Sequence, residues 1–294
     1  DPEITYASII KANTDDVMAQ KTLFDTYRAA VRLFLKSAYT HLKDQNFPNL
    51  TTDGDVVIYT GDSPSGDNKQ RAFKHHELKI LFEGSLMREY AEDSKKAHFF
   101  WLPHLGLFTG ARINELCQIN PQTDIEKIDD VWCLKMSIKT EGDPRIIKRL
   151  KNDSSARNVP IHSQLIELGF LDYFKSVKKQ KAKLLFPAWN PSQDRAATNA
   201  IKWFSRLLES TEPKLRDDTK KAKITGFHAF RHTFITKAVN LKLKAETPLI
   251  TGHGDGVDKS SFDGYVDDDG IDMKMIQETI EKFDFDLSFI NILC

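Results

Sequence analysis

The stretch Gly226–Val239, GFHAFRHTFITKAV, combines an apolar helical pattern with cationic and imidazole side chains. Apolar residues recur every four positions from Phe230 to Ala238, which predicts an amphipathic helix that starts near His228 and packs on a core. His228 and Arg231 stand three positions apart and therefore share one face of this helix. Together with the free N–H groups of a helix start, they favour a bound anion such as a phosphate. The alternative is a helix-capping His228 and an Arg231 paired with a surface carboxylate.

Composition indicates a globular protein of one large or two modest domains. The chain has 294 residues, of which 40% are hydrophobic and 29% charged, enough to bury a sizeable core. No apolar run approaches about 18 residues, and the start, DPEITYASII, has neither an initiator Met nor a signal-peptide pattern. We therefore expect an intracellular protein whose original start is missing.

The three cysteines, Cys117, Cys133 and Cys294, lie far apart, which argues against a disulfide framework or a cysteine metal site.

Charge is segregated along the chain although the formal net charge is zero. From Lys135 to Lys223 there are about twenty Lys and Arg against about ten Asp and Glu. From Gly252 onward there are about eleven acids and about three Lys. The middle of the chain is thus suited to grip a polyanion, although a set of solvated helix faces would give the same pattern.

The N-terminal part reads as the remainder of a helical domain followed by a linker. Leu23–Leu42 carries a continuous apolar stripe, and Ile4–Met18 supplies a second helix for it to pack against. Gln45–Gln70 is rich in Pro, Gly, Asn, Asp and Ser, with one short strand expected at Val56–Tyr59. We expect a domain boundary near Asn68, which divides the chain into residues 1–67 and 68–294.

Beyond this boundary, helices are predicted at Phe73–Ala91 and at the strongly apolar Lys96–Phe108. TGARINEL opens a further helix, with Arg112 in the first turn and Glu115 one turn later. A cation in the first turn opposes the helix dipole, so Arg112 needs an anion nearby. That anion is either Glu115 or a ligand phosphate.

A small antiparallel sheet is expected in the middle of the chain. Val131–Ile138 and Arg157–Ile161 read as strands, with Arg145–Leu150 a possible strand between them. The turn LKNDSSAR would hold Lys151 at the tip of a hairpin, where its mobile charge can reach a bound ligand. Helices at Ser163–Lys179 and at residues 196–210 follow. The predicted fold class is therefore mainly α with a small antiparallel β-sheet.

Two features follow the organising helix. Tyr265 lies among glycine and acidic residues, a context that favours exposure rather than burial of its ring, so a reactive phenol is one hypothesis. Further on, Met273, Ile276, Ile280 and Phe283 form an apolar stripe that needs cover. The cover is either the same chain or a neighbouring protomer.

Several of these motifs occur together in the order and spacing of the tyrosine recombinase (phage integrase) family, which the chain resembles over roughly residues 71–283. The matching positions are Arg112 in TGARINEL, Lys151 in LKNDSSARNVP, His228 and Arg231 in FHAFRH, His253 in TGHGD, and Tyr265 in FDGYV. Two departures stand out: a longer loop between His253 and Tyr265, and an insertion in TEGDPRIIKRL that leaves Lys139 and Lys148 as rivals of Lys151.

The resemblance implies covalent catalysis without metal, ATP or other cofactor. Tyr265 would attack a DNA phosphodiester and form a 3′-phosphotyrosyl bond, which conserves the bond energy for rejoining. His228 would take the tyrosine proton and Lys151 would protonate the departing 5′-oxygen.

The remaining positions would stabilise the transition state. Arg112, Arg231 and His253 would donate hydrogen bonds to the non-bridging phosphate oxygens, and Glu115 would orient Arg112. The resemblance also implies a catalytic domain preceded by part of a core-binding domain, double-stranded DNA as partner, a tetramer on two DNA sites, and no membrane. It further implies a bacterial cytoplasmic location, with the protein at the nucleoid when bound to DNA.

Two other functions fit the same residues. A type IB topoisomerase resembles these enzymes in fold and site but relaxes DNA as a single protomer. A DNA-binding accessory protein would keep the fold without chemistry.

Overall fold

The computed structural model describes residues 69–150, 155–192, 195–216, 222–224, 226–252 and 272–288. All of them belong to the second of two compact units, Gly66–Cys294. The predicted N-terminal helices, the strand at Val56–Tyr59 and most of the linker lie outside the described residues. The division of the chain at residues 67 and 68 therefore stays a prediction.

Helices make up about half of the described chain. They are α1 (His75–Phe82), α2 (Ser85–Glu92), α3 (Ala97–Thr109), α4 (Ile113–Cys117), α5 (Ser163–Glu167), α6 (Phe170–Lys179), α7 (Thr198–Ser210), α8 (His228–Asn240), α9 (Thr247–Thr251) and α10 (Met273–Ile280). The strands are β1 (Lys69–Gln70), β2 (Ile125–Ile128), β3 (Val131–Met136), β4 (Arg157–Pro160) and β5 (Ala222–Lys223). The predicted class, mainly α with a small antiparallel sheet, is confirmed for these residues.

Two helices that the sequence pattern predicts as continuous are each broken in two. The chain turns so tightly between α1 and α2 that a Cβ on Gly84 would lie 2.5 Å from the carbonyl oxygen of Ile80. Gly169, with φ 95°, separates α5 from α6. The apolar repeat continues across both breaks, which is why periodicity alone does not show them.

The antiparallel sheet has the strand order β2, β3, β4. Strand β2 was not predicted; it joins β3 through Asp129 and Asp130, whose φ angles of 52° and 66° suit a tight two-residue hairpin. The strand considered at residues 145–150 does not form, although the structure describes all of that segment. Instead, the side chain of Gln118 accepts from the N–H of Arg149 at 3.0 Å and donates to its carbonyl at 3.1 Å, as a neighbouring strand otherwise would.

Helices α3 and α8 cross at the centre of the core. α3 is buried on nearly all sides, as expected for a helix that is apolar all round. α8 crosses it at Gly106, where a Cβ would lie 2.4 Å from the ring of Phe227, so no larger residue fits without a shift. Phe230 packs on Phe73 and Phe204, with ring centroids 5.0 and 5.4 Å away. This aromatic packing fixes the start of α8 against the end of α3.

The C-terminal segment packs on its own chain. α10 contacts β3 and β4, and Met273, Ile276 and Ile280 are buried. The ring of Phe283 stacks on Phe234 of α8 at 4.0 Å and 5°. The sequence left open whether the same chain or a neighbouring protomer covers this apolar stripe. For residues 273–288, the cover is the same chain.

Candidate active site

Arg231 joins the organising helix to the loop between α3 and α4. It lies in the first turn of α8, and only 1% of the residue is exposed. Its Nη1 donates a hydrogen bond to the carbonyl oxygen of Gly110 at 3.0 Å. Gly110 ends α3 and stands two residues before Arg112. The start of α8 is thus tied to the segment that carries the second predicted arginine.

Arg112 is held by the buried carboxylate of Glu115. The structure places Arg112 one residue before α4, as its N-cap, rather than inside the first turn. Its backbone N–H donates to Glu115 Oε2 at 2.9 Å and its Nη1 donates to Glu115 Oε1 at 2.7 Å. The arginine side chain is 22% exposed and that of Glu115 is 2% exposed. The Arg112 side chain is therefore partly exposed and held in a fixed position.

Glu115 also binds a third arginine, Arg157 of β4, whose Nη2 lies 2.9 Å from Glu115 Oε2. Burial alone would raise the pKa of Glu115. The charge and hydrogen bonds of Arg157 and Arg112 outweigh burial, however, and hold the pKa below its usual range. Glu115 is consequently ionised at neutral pH and bridges two arginines.

The cluster carries more positive than negative charge. Burial, together with the nearby charges of Arg112 and Arg157, lowers the pKa of Arg231 to about 9, and Glu115 offsets this only in part. Three guanidinium groups thus surround one carboxylate. The cluster therefore has a net positive charge, which attracts an anion.

His228 borders the cluster as the first residue of α8. Its side chain reaches the surface, and its ring meets that of His232 edge-on at 5.0 Å. Partial burial of the ring and the charges of His232, Arg231 and Arg112 lower the pKa of His228 to about 4. The imidazole is therefore neutral at pH 7 and able to accept a proton.

A cleft of about 510 Å³ opens beside Arg112. Four of the five charged residues that line the cleft are cationic, and the fifth is Glu115. The lining residues are Arg112, Asn114, Glu115, Arg149, Leu150, Arg195, Ala197, Thr198, Ile201 and Lys202. Such a lining suits a polyanion that passes over Arg112.

Three of the predicted site residues, Lys151, His253 and Tyr265, lie outside the described residues. The described chain that flanks two of them nevertheless converges on Arg157. A Cβ on Gly252, the residue before His253, would lie 2.8 Å from Arg157 Nη1 and 3.2 Å from Ser155 Cα. The structure thus brings Arg112, His228 and Arg231 together and leaves the other three positions as predictions.

The structure narrows the choice among the rival lysines. Lys148 Nζ donates to Asp124 Oδ2 and to Thr140 Oγ1, each at 2.6 Å, and its side chain is 6% exposed. A lysine held in this buried ion pair is not free to protonate a leaving group. Lys139 is exposed on the connection that follows β3.

Arg157 is the site residue that sequence reasoning missed. In the sequence it is one polar position of a short strand, and nothing local marks it. Its side chain is 6% exposed and connects separate elements, which only the fold reveals. No signal in the sequence separates it from its polar neighbour Asn158.

In the segments that the structure describes, no group of three or more His, Cys, Asp or Glu is arranged to hold a metal ion. No helix among them is both long enough and apolar enough to cross a membrane.

Comparison with solved structures finds partial similarity to DNA-bound recombinases. The XerH site-specific recombinase bound to difH substrate in a pre-cleavage complex is 20% identical over 64% of this chain and 48% of that one, with a TM-score of 0.43. The chain thus spans about half the length of that structure. A XerH post-cleavage complex on palindromic difH is 21% identical over 76% of this chain and 59% of that one, with a TM-score of 0.48.

A transposon integrase shows comparable similarity. The Tn1549 integrase in complex with a circular intermediate DNA is 19% identical over 79% of this chain and 72% of that one, with a TM-score of 0.48. No protein-family model matches the chain, and neither does any curated protein. At such identities, the function of this chain has to be inferred from its own residues.

Proposed function

We propose that this chain is a tyrosine recombinase, a site-specific recombinase or integrase of mobile DNA that cleaves and rejoins strands through a 3′-phosphotyrosyl intermediate. The observation that carries the proposal is the cluster of Arg112, Arg231 and Glu115 beside a cationic cleft, with a neutral His228 at its border. A phosphodiester has the charge and oxygen geometry that two arginine forks accept. Lys151, His253 and Tyr265, which stand at the family's motif positions, complete the set of proposed catalytic residues.

In the proposed reaction, Tyr265 Oη attacks the scissile phosphorus and the bond from phosphorus to the 5′-oxygen breaks. The tyrosine proton passes to His228, and the leaving 5′-oxygen takes a proton from Lys151. Arg112, Arg231 and His253 donate to the non-bridging oxygens as negative charge builds. Attack by the 5′-hydroxyl of a second strand reverses these steps and releases the tyrosine.

We also propose the partners of the protein and its location in the cell. Double-stranded DNA would lie in the cleft, four protomers would assemble on two DNA sites, and the protein would act in the bacterial cytoplasm at the nucleoid. Residues 1–67 would form the remnant of a core-binding domain.

A nicked suicide DNA substrate tests the proposal, because cleavage releases a short strand and leaves the adduct trapped. The unmodified protein should form a covalent adduct on its target DNA, and Tyr265→Phe should bind the same DNA within about threefold yet form none, since only the nucleophilic oxygen is lost. An adduct with Tyr265→Phe would refute the assignment of the nucleophile. Binding without any adduct by the unmodified protein would favour a DNA-binding accessory role, and plasmid relaxation by single protomers would favour a topoisomerase.

A further inference from the structure

Arg157 donates hydrogen bonds to three separate parts of the fold. Its Nη2 binds Glu115 Oε2 in α4 at 2.9 Å, its Nε binds the carbonyl oxygen of Ile250 in α9 at 2.6 Å, and its Nη1 binds the carbonyl oxygen of Ser155 at 2.7 Å. All three donors belong to one rigid, planar group, so the three acceptors are held in one mutual arrangement.

The first acceptor, Glu115, also binds Arg112. Glu115 uses Oε1 for the Arg112 guanidinium and Oε2 for both the Arg112 N–H and Arg157. Because Arg157 holds the shared oxygen, it limits rotation of the Glu115 carboxylate and so fixes where Arg112 points.

The second acceptor, the carbonyl oxygen of Ile250, lies near the end of α9. Gly252 ends this helix with φ 64°, and its N–H bonds to the carbonyl of Pro248 at 2.8 Å. A Cβ at Gly252 would lie 2.8 Å from Arg157 Nη1, so the guanidinium packs directly against the backbone at this turn. The next residue in the chain is His253. Ser155, the third acceptor, begins the described chain after Lys151.

We propose that Arg157 is a positioning residue, which touches no DNA itself but sets Arg112, through Glu115, in register with Ser155 and with the end of α9 at Ile250 and Gly252. The proposal rests on the proposed recombinase function. It adds a residue whose three hydrogen bonds make separate helices and a strand act as one site.

The chain contains a matched control for loss of a buried ion pair. Arg71 donates to both oxygens of Glu77 at 2.7 and 2.6 Å, and Glu77 also accepts from the N–H of Lys74 at 2.7 Å before α1. Arg71 and Glu77 thus form a second arginine–carboxylate pair at another helix start, less buried than that of Arg157 and Glu115. Replacement of Arg71 measures what a merely structural pair contributes.

Cleavage kinetics form the first arm of the test. Arg157→Lys keeps the charge, but its single ammonium cannot copy three directed hydrogen bonds from a planar fork. At saturating suicide DNA, adduct formation should slow about ten- to a hundredfold for each folded molecule, while DNA affinity stays within about threefold. Arg71→Met should leave the adduct rate within about twofold. A normal rate with Arg157→Lys would overturn the proposal.

Amide hydrogen exchange forms the second arm and needs no activity. In Arg157→Lys the amide of Arg112 should exchange at least about tenfold faster while that of Lys74 is unchanged; Arg71→Met should show the reverse. Unchanged exchange at Arg112 would refute positioning through Glu115. If the unmodified protein forms no adduct yet the exchange pattern holds, the recombinase function fails while the positioning contact stands.

Discussion

The imidazole of His228 can report whether an anion enters the arginine cluster. Its pKa is lowered to about 4 by burial and by His232, Arg231 and Arg112. A phosphate beside the ring stabilises the imidazolium and raises the pKa. We expect an NMR titration of His228 in the Tyr265→Phe variant to give a pKa of about 4 without DNA and a clearly higher one with DNA.

His98 is the internal control for this titration. Its pKa is also lowered to about 4 by burial, but its ring packs edge-on against Trp189 in the core, 4.9 Å away. DNA should leave the pKa of His98 unchanged. If both histidines shift together, or neither does, His228 does not face a bound phosphate.

At the scale of single residues, the sequence predicts what is local. His228 and Arg231 share one helix turn, and Arg112 and Glu115 share another, so their spacing already places each pair together. Arg157 could not be found in this way. Its partners Glu115 and Ile250 lie 42 and 93 positions away, and its role depends on how the sheet packs against α4 and α9.

Helix α7 offers a test of the cleft. Lys202 lies in this helix, lines the cleft and carries a positive charge beside the exposed Ile201. If Lys202 contacts a DNA phosphate, Lys202→Ala removes one counterion-release contact. We expect weaker DNA binding and a log–log salt dependence that is shallower by about 0.9, measured by fluorescence anisotropy over a range of salt concentrations.

Lys175 is a suitable counterpart, because it is equally cationic but lies on α6, 63% exposed and paired with Asp172. Lys175→Ala should keep the salt slope of the unmodified protein. The same slope for Lys202→Ala would mean that the polyanion does not pass over α7.

At the scale of elements, sequence periodicity finds the helices but not all of their limits. Gly84 and Gly169 interrupt helices whose apolar repeat continues on both sides. Strand β2 is short and has polar residues in its middle, so its pattern is weak without its partner β3. At residues 145–150, the side chain of Gln118, not a strand, satisfies the backbone of Arg149.

At the scale of the whole molecule, the segment after α10 is part of the core. Phe283 is fully buried and stacks on Phe234, behind the helix that carries Arg231. Phe283→Ala should lower the free energy of unfolding by about 3–5 kcal/mol, because it leaves a cavity against α8. Chemical denaturation monitored by circular dichroism measures this loss.

Met275→Ala is the matched variant, since Met275 is 45% exposed on α10 itself. It should change the free energy of unfolding by no more than about 0.5 kcal/mol. An equally small effect of Phe283→Ala would contradict packing of this segment on its own chain. The sequence alone left that packing open, because an apolar stripe indicates a need for cover but not which surface provides it.

The stack of Phe283 on Phe234 also has a consequence for the time at which a newly made chain becomes active. Arg231 is synthesised 52 residues before Phe283, which covers the other side of α8. At about 5–20 residues per second, a ribosome needs roughly 3–10 s to cross this interval. During that time the arginines exist without the support that holds α8 in place, so a nascent chain has no completed site with which to cut DNA.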